Sequence, residues 1–279
     1  MKFNRLNDLY FKKLLGDKKR KNLTLNFLNS ILNRDKNNYF TDITFLDKDN
    51  EPDIIDGKLS KLDIRADMND GTQIEIEVQV VPFKMMAERS LYYWSKMYAE
   101  QLNKKEQYRK LKKTVAINLL NFDYLIDEED WHNIYAILNM KSYKRLTDHM
   151  EIHFLEIPKF KLKDIRKMKA SETWIAYFSG EYDDKELEEL SMNKPIMKEV
   201  MDFERSFLMD KLQRREYEQR EKALKDYYSY MGESYEQGEE DKAKEIALNL
   251  LHLGANMEMI VKATGLSENE IRNLQATKE

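Results

Sequence analysis

The chain has no cysteine in its 279 residues. Disulfide staples, cysteine-ligated zinc and a thiol nucleophile are therefore excluded. Proline (4) and glycine (8) are scarce, so the chain is poorly punctuated and is expected to be rich in helix. No apolar run approaches the ~20 residues that a membrane span needs. The opening MKFNRLNDLYFKK has no apolar centre of the kind a secretory signal carries. A cytoplasmic protein with no membrane partner is expected. Glycine-rich phosphate loops and Ser/His/Asp arrangements are also absent, which removes the usual signs of other hydrolases. What is present is 42% hydrophobic residues, enough for a real core.

The net charge of −4 does not describe a basic nucleic-acid binder. Its distribution is uneven. Residues 1–40 carry ten basic and three acidic side chains, a net of +7. Segments 104–113 and 159–169 are each +5, whereas 181–240 is −8. The basic segments are either ordinary solvated faces or a surface that follows a phosphate backbone.

Hydrophobic spacing predicts helices over 6–16, 20–33 and 84–103, and strands over 41–46, 60–68, 72–81, 114–121, 132–139 and 150–157. From about residue 183 the chain turns charged and helical. The last segment resembles a small helical unit: a helix ending at Gly254, a second over 256–263, and a third opened by a Ser267/Glu270 capping box. That spacing is the one a helix-turn-helix uses. The expected organisation is a domain over 1–182, a charged helical region over 183–240 and a helix-turn-helix-like tail over 241–279, with a homodimer through the C-terminal helices as a candidate assembly. The tail has three basic and four acidic groups over 255–279, so packing and DNA reading are both open for it.

The most informative segment is KLDIRADM-NDG-TQIEIEVQV. Each flank alternates with period two, one face apolar and the other charged. Burial of the apolar faces forces odd residues to oppose odd residues, because a one-residue slip would turn the charges into the core. A three-residue loop at 69–71, with Gly71 left-handed, then sets Met68 opposite Thr72, Arg65 opposite Glu75, Asp63 opposite Glu77 and Lys61 opposite Gln79. Glu75 is expected in an ion pair with Arg65. Two opposed carboxylates at 63 and 77 should repel at a cross-strand distance of about 5 Å. Either both are solvated at a small cost, or a divalent cation lies between them. Mg²⁺ accepts one or two carboxylates with water and phosphate completing its shell, and a backbone carbonyl near Val78 is a further candidate ligand.

Asp63 and, fourteen positions on, Glu77-Val78-Gln79 resemble the PD-(D/E)XK nuclease core. The chain is more specifically similar to the bacterial transposase-like, recombination-promoting nuclease family. The likeness covers most of the sequence: Asp8-Leu9-Tyr10-Phe11-Lys12-Lys13-Leu14, Lys61-Leu62-Asp63-Ile64, Ile76-Glu77-Val78-Gln79, Arg89-Ser90-Leu91-Tyr92-Tyr93, Leu155-Glu156-Ile157-Pro158-Lys159 and Ile260-Val261-Lys262-Ala263-Thr264-Gly265. The resemblance implies an α/β fold, a mixed β-sheet flanked by helices with a restriction-endonuclease-like core and a helical C-terminal extension. It also implies a Mg²⁺-dependent DNA endonuclease, with Mn²⁺ as a substitute cation, acting in DNA exchange or in defence against foreign DNA. On this reading Asp63 and Glu77 are metal ligands, with Asp8 a weaker accessory acid. Gln79 stands where the superfamily has a catalytic lysine, and Leu62 where it has proline. Glutamine orients water but carries no charge. Lys61 is therefore expected to supply the missing cation, with Lys58 a lesser substitute and Arg89 also facing the phosphate. Tyr93 falls one helical turn after Arg89 and is expected in the same cleft.

Several other candidates have plain structural readings. His149, Glu151 and His153 lie at a strand entry and are not expected to share a metal. Trp131 and Trp174 are expected to pack, and the methionines to fill the core. Gln79 also sustains an alternative in which the nuclease fold is kept as a DNA-binding or oligomeric interaction module that cuts little. A third reading makes 183–253 the working part and the sheet a scaffold.

Overall fold

The computed structural model describes residues 3–46, 54–55, 58–59 and 64–276. Its strands are β1 (Ile43–Phe45), β2 (Ile54–Ile55), β3 (Lys58–Leu59), β4 (Ile64–Met68), β5 (Gln73–Gln79), β6 (Thr114–Leu120), β7 (His132–Tyr135) and β8 (Met150–Glu156). Six of them form one mixed sheet in the order β1-β4-β5-β6-β8-β7, and β2 pairs with β3 in a separate ladder. The central strands β5, β6 and β8 are parallel, and the outer strands run antiparallel to their neighbours. The sheet strands stand where the hydrophobic periodicity put them. The 132–139 segment is shorter in its ladder and continues as an isolated bridge between Leu138 and Arg145.

The helices are α1 (Asp8–Leu15), α2 (Lys21–Ile31), α3 (Met86–Glu100), α4 (Ala170–Ser179), α5 (Asp184–Asn193), α6 (Pro195–Met209), α7 (Lys211–His252), α8 (Met257–Thr264) and α9 (Glu268–Ala276). Asn7 opens α1 by accepting from the N–H groups of Leu9 and Tyr10. Leu23, Phe27, Leu28 and Ile31 recur at helical spacing and are all buried on one side of α2. None of the described helices is long and apolar enough to cross a membrane.

The main core lies on the apolar side of the hairpin. Ile64, Ile74, Ile76, Val115 and Ile117 meet Phe11, Phe27, Trp174 and Phe178 from α1, α2 and α4. Trp174 is wholly buried and donates its indole N–H to Asn26 Oδ1 at 3.0 Å, while Trp131 sets its ring edge-on to Phe160. Both tryptophans pack, as expected. Arg5 is clamped on Glu204 of α6 at 2.7 Å, and the Tyr177 hydroxyl donates to the same carboxylate.

The described residues divide into two compact units, one through Tyr217 and one from Glu218. The first extends past residue 182, because Leu187, Leu190, Met197, Val200 and Phe207 of α5 and α6 join the main core. The second has its own small core of Ala247, Ile260, Leu266 and Ile271. Gly265 closes α8 at φ +73°, and Ser267 and Glu270 exchange the capping-box hydrogen bonds that open α9.

Candidate active site

The hairpin β4–β5 has the register expected from its two-faced strands: Arg65 opposite Glu75, Ala66 opposite Ile74 and Asp67 opposite Gln73. Gly71 adopts φ +86°, which an L side chain tolerates poorly, and Met68 N–H donates to Thr72 C=O across the turn. Asp63 and Lys61 lie outside the described residues, as does the side chain of Lys58.

Pairing with β6 sets Glu75 beside Ala116, Glu77 beside Asn118 and Gln79 beside Leu120. These side chains therefore share the sheet face that carries α3, opposite the main core. Ser90 and Trp94 tie α3 down antiparallel to β6, through Ser90 Oγ to Asn118 Oδ1 at 2.8 Å and Trp94 Nε1 to Thr114 C=O at 2.9 Å. This brings the first turns of α3 over Glu77. Arg89 reaches down and its Nη2 meets Glu77 Oε1 at 2.5 Å. Its guanidinium lies 5.5 Å from the centre of the Tyr93 ring and 6.0 Å from that of Phe83. The structure thus gathers Glu77, Arg89 and Tyr93. Glu75 and Glu77 are only 3% and 7% exposed.

The other sequence candidates are placed differently. Gln79 sits at the end of β5, half-buried, with its amide N–H₂ on Val81 C=O at 3.0 Å. The Val78 side chain packs against the main core. Asp8 is the first residue of α1, an element whose buried side chains pack on the opposite face of the sheet. The expected Arg65–Glu75 ion pair is not formed. Arg65 instead joins Glu100 of α3 at 2.7 Å. Cross-strand logic sees only the two strands, whereas a long guanidinium also reaches the helix above. The basic segment 104–113 reaches the hairpin-turn end of β5, where Gln73 N–H bonds Lys113 C=O. That is about 13 Å of strand from Glu77.

The histidines separate as anticipated. His149 Nδ1 meets the Tyr98 hydroxyl, and His153 Nδ1 meets His132 Nε2, each at 2.9 Å. Burial, and then the neighbouring His153, lower the His132 pKa to about 4. Burial alone would raise the Glu151 carboxyl, but hydrogen bonds from His153, Lys113 and Arg145 outweigh it and hold the group well below the ordinary carboxylate range.

Two polar residues of the site escaped the sequence reading. Asn118 and Ser90 are buried at the α3–β6 contact, and Asn118 Nδ2 also donates to His153 C=O at 3.1 Å. The signal was an asparagine at the middle of an otherwise apolar strand.

Among the described residues no group of three or more acids and histidines converges on one point. The donors that are described suit a hard cation. Glu75 and Glu77 are carboxylates two residues apart on one face, both buried, and a cation offsets the charge they concentrate there.

A mixed sheet with helices on both faces, whose central strand turns buried acids toward one helix, is consistent with the restriction-endonuclease-like core of PD-(D/E)XK nucleases. The family model described as PD-(D/E)XK nuclease family transposase matches residues 5–234, and the chain belongs to that family. A second model, described as Rpn/YhgA-like nuclease family, C-terminal HTH domain, matches residues 240–276. No curated protein and no solved structure matches the chain.

Proposed function

We propose that this protein is a metal-dependent DNA endonuclease that hydrolyses phosphodiester bonds at the α3 face of β5, in the service of DNA exchange or defence against foreign DNA. The observation that carries the reading is Glu77: a buried carboxylate on a central strand of a nuclease-family sheet, gripped by an arginine that stacks near Tyr93. Glu77 and Asp63 would hold Mg²⁺, or Mn²⁺ in its place, with the Val78 carbonyl as a further oxygen donor. A bound divalent cation supplies charge for the phosphoryl oxygens and a water of lowered pKa. Arg89 steadies Glu77 and offers positive charge to the phosphate, with Lys61 assigned the same task. Gln79 orients water by hydrogen bonding, since an amide neither takes its proton nor carries charge. The C-terminal helix-turn-helix-like unit provides a second means of engaging DNA. The exposed Tyr227, Met231 and Tyr235 along α7 fall at four-residue spacing and suit pairing between copies of this helix.

The alternative, a nuclease fold kept for binding, draws on Gln79, whose amide is engaged by the Val81 carbonyl. Plasmid nicking in Mg²⁺, Mn²⁺ or chelator separates the two. The wild-type chain is expected to cut only with metal, and Glu77→Ala to lose at least about 100-fold of the rate, the order of loss when a charge-stabilising group is removed. Metal-independent cutting, or full activity in Glu77→Ala, defeats the proposal; no cutting under any condition favours the binding module. In the same assay, Lys61→Ala cutting like wild type while Asp63→Ala is dead would remove Lys61 from the mechanism.

A further inference from the structure

β7 is the last strand of the sheet, and among the described residues its outer side meets no other strand. The bond from Glu156 N–H to Trp131 C=O fixes its alternation. Residues 131, 133 and 135 turn their backbone groups toward β8, so His132 and Ile134 present theirs outward. The chain then continues as a hairpin arm, with Leu146 N–H on Ile137 C=O and Asn139 N–H on Lys144 C=O. Ala136 and Leu138 therefore also face out. Proteins normally blunt such an edge with charge, proline or cover. Here the edge and its arm carry Ile134, Leu138, Met140, Tyr143 and Leu146, all exposed, Met140 to 86% and Leu146 to 77%. Tyr135 stands at the rim of a groove of about 600 Å³ lined by Leu91, Tyr124, Ile126, Ile152 and Phe154. A patch of this kind on a monomer marks an interaction surface.

Its charges select the partner. Asp127, Glu128, Glu129 and Asp130 precede the strand, and Lys141 and Lys144 follow it. All six are exposed, and among the described residues none of them forms an ion pair. The acidic end disfavours nucleic acid at this edge. A second copy laid antiparallel fits both ends at once, because the acids of one chain meet the lysines of the other. Parallel pairing would set like against like.

We propose that this edge pairs antiparallel with the same edge of a second copy of the chain, extending the sheet across a two-fold axis. Outward-facing residues must meet outward-facing residues, so the numbers of each pair sum to an even value. An axis at Tyr135 sets Ile134 across from Ala136 and brings Glu129 to the level of Lys141. The arrangement is isologous and closes at two chains. It takes the place of a pairing through α7, which charge reversals at this edge would leave intact.

The absence of cysteine makes the test direct. In the full chain, Tyr135→Cys places a single thiol at the axis, and Leu162→Cys places one at an exposed control site. Copper-phenanthroline with oxygen takes the two electrons and two protons released when the thiols join. Tyr135→Cys is expected to give mostly a disulfide-linked dimer and Leu162→Cys essentially none. Lys141→Glu/Lys144→Glu and Asp127→Lys/Glu129→Lys should each weaken the sedimentation dimer at least tenfold, and an equimolar mixture of the two should restore it as a heterodimer. A wild-type chain that stays monomeric at tens of micromolar overturns the proposal. So does equal cross-linking at 135 and 162, or a dimer indifferent to both charge reversals, which would assign association to another surface.

Discussion

A histidine buried against another histidine is a liability in acid. His132 is half-buried beside His153, and its folded pKa of about 4 lies below the ordinary histidine value of 6.5. Between those values the unfolded chain binds a proton that the folded chain refuses, so unfolding takes up a proton and stability rises with pH. The stabilisation is complete above about pH 6.5, falls as the pH drops, and is exhausted near pH 4, with an upper bound of about 3 kcal/mol. Urea titrations at pH 7 and pH 5 should show the midpoint dropping in the wild-type chain. His132→Phe, which cannot take up the proton, should flatten that dependence. An equally steep dependence in the variant would assign the acid sensitivity to other groups.

At the scale of elements, the second compact unit rests on a core of four buried apolar residues, so its helix caps weigh heavily. Ser267 bonds Glu270 N–H at 3.3 Å while Glu270 Oε2 accepts from Ser267 N–H at 2.7 Å. Ser267→Ala should cost about 1 kcal/mol, read as earlier loss of hydrogen-exchange protection in α8 and α9 with protection in β5 and β6 unchanged. The cap was plain in the sequence because it is local: residue types at fixed spacing. The hairpin was legible for a related reason, since a slip of one residue would invert every side chain from 64 to 76. Arg89 and Tyr93 were legible through helical spacing. What was not legible required a third element. The partner of Arg65 is on α3, not on the opposing strand. Asn118 and Ser90 meet only when α3 packs on β6, and the strand around Asn118 is buried on both faces, so its apolar run hid a polar contact. The packing of α5 and α6 was masked by their charge, because only sparse positions such as Leu187, Leu190 and Val200 carry the core contact.

For the whole molecule, the basic segments read off the sequence are in large part neutralised by folding. Of the ten Lys and Arg in residues 1–40, Arg5, Lys13, Arg20, Lys21 and Arg34 are each joined to a carboxylate. In 104–113 Lys110 and Lys113 are paired, and in 159–169 Lys159, Lys163 and Arg166 are. A cation already held by a carboxylate releases few counterions from DNA, so a net local charge of +7 overstates the phosphate-binding capacity. Lys104, Lys105 and Arg109 are exposed and form no ion pair among the described residues, which makes them the better candidates to follow a DNA backbone. With about three phosphate contacts, raising monovalent salt from about 50 to 200 mM should weaken binding of a random duplex roughly 40-fold. Fluorescence anisotropy of the full chain across that range gives the slope. Substituting all three residues by alanine should flatten it, whereas Lys21→Ala, which frees Asp42 instead, should leave it nearly unchanged. A slope corresponding to eight or more phosphates would mean that the paired cations let go of their carboxylates and turn to DNA, so that the charge in the sequence, and not the charge left by the fold, governs binding.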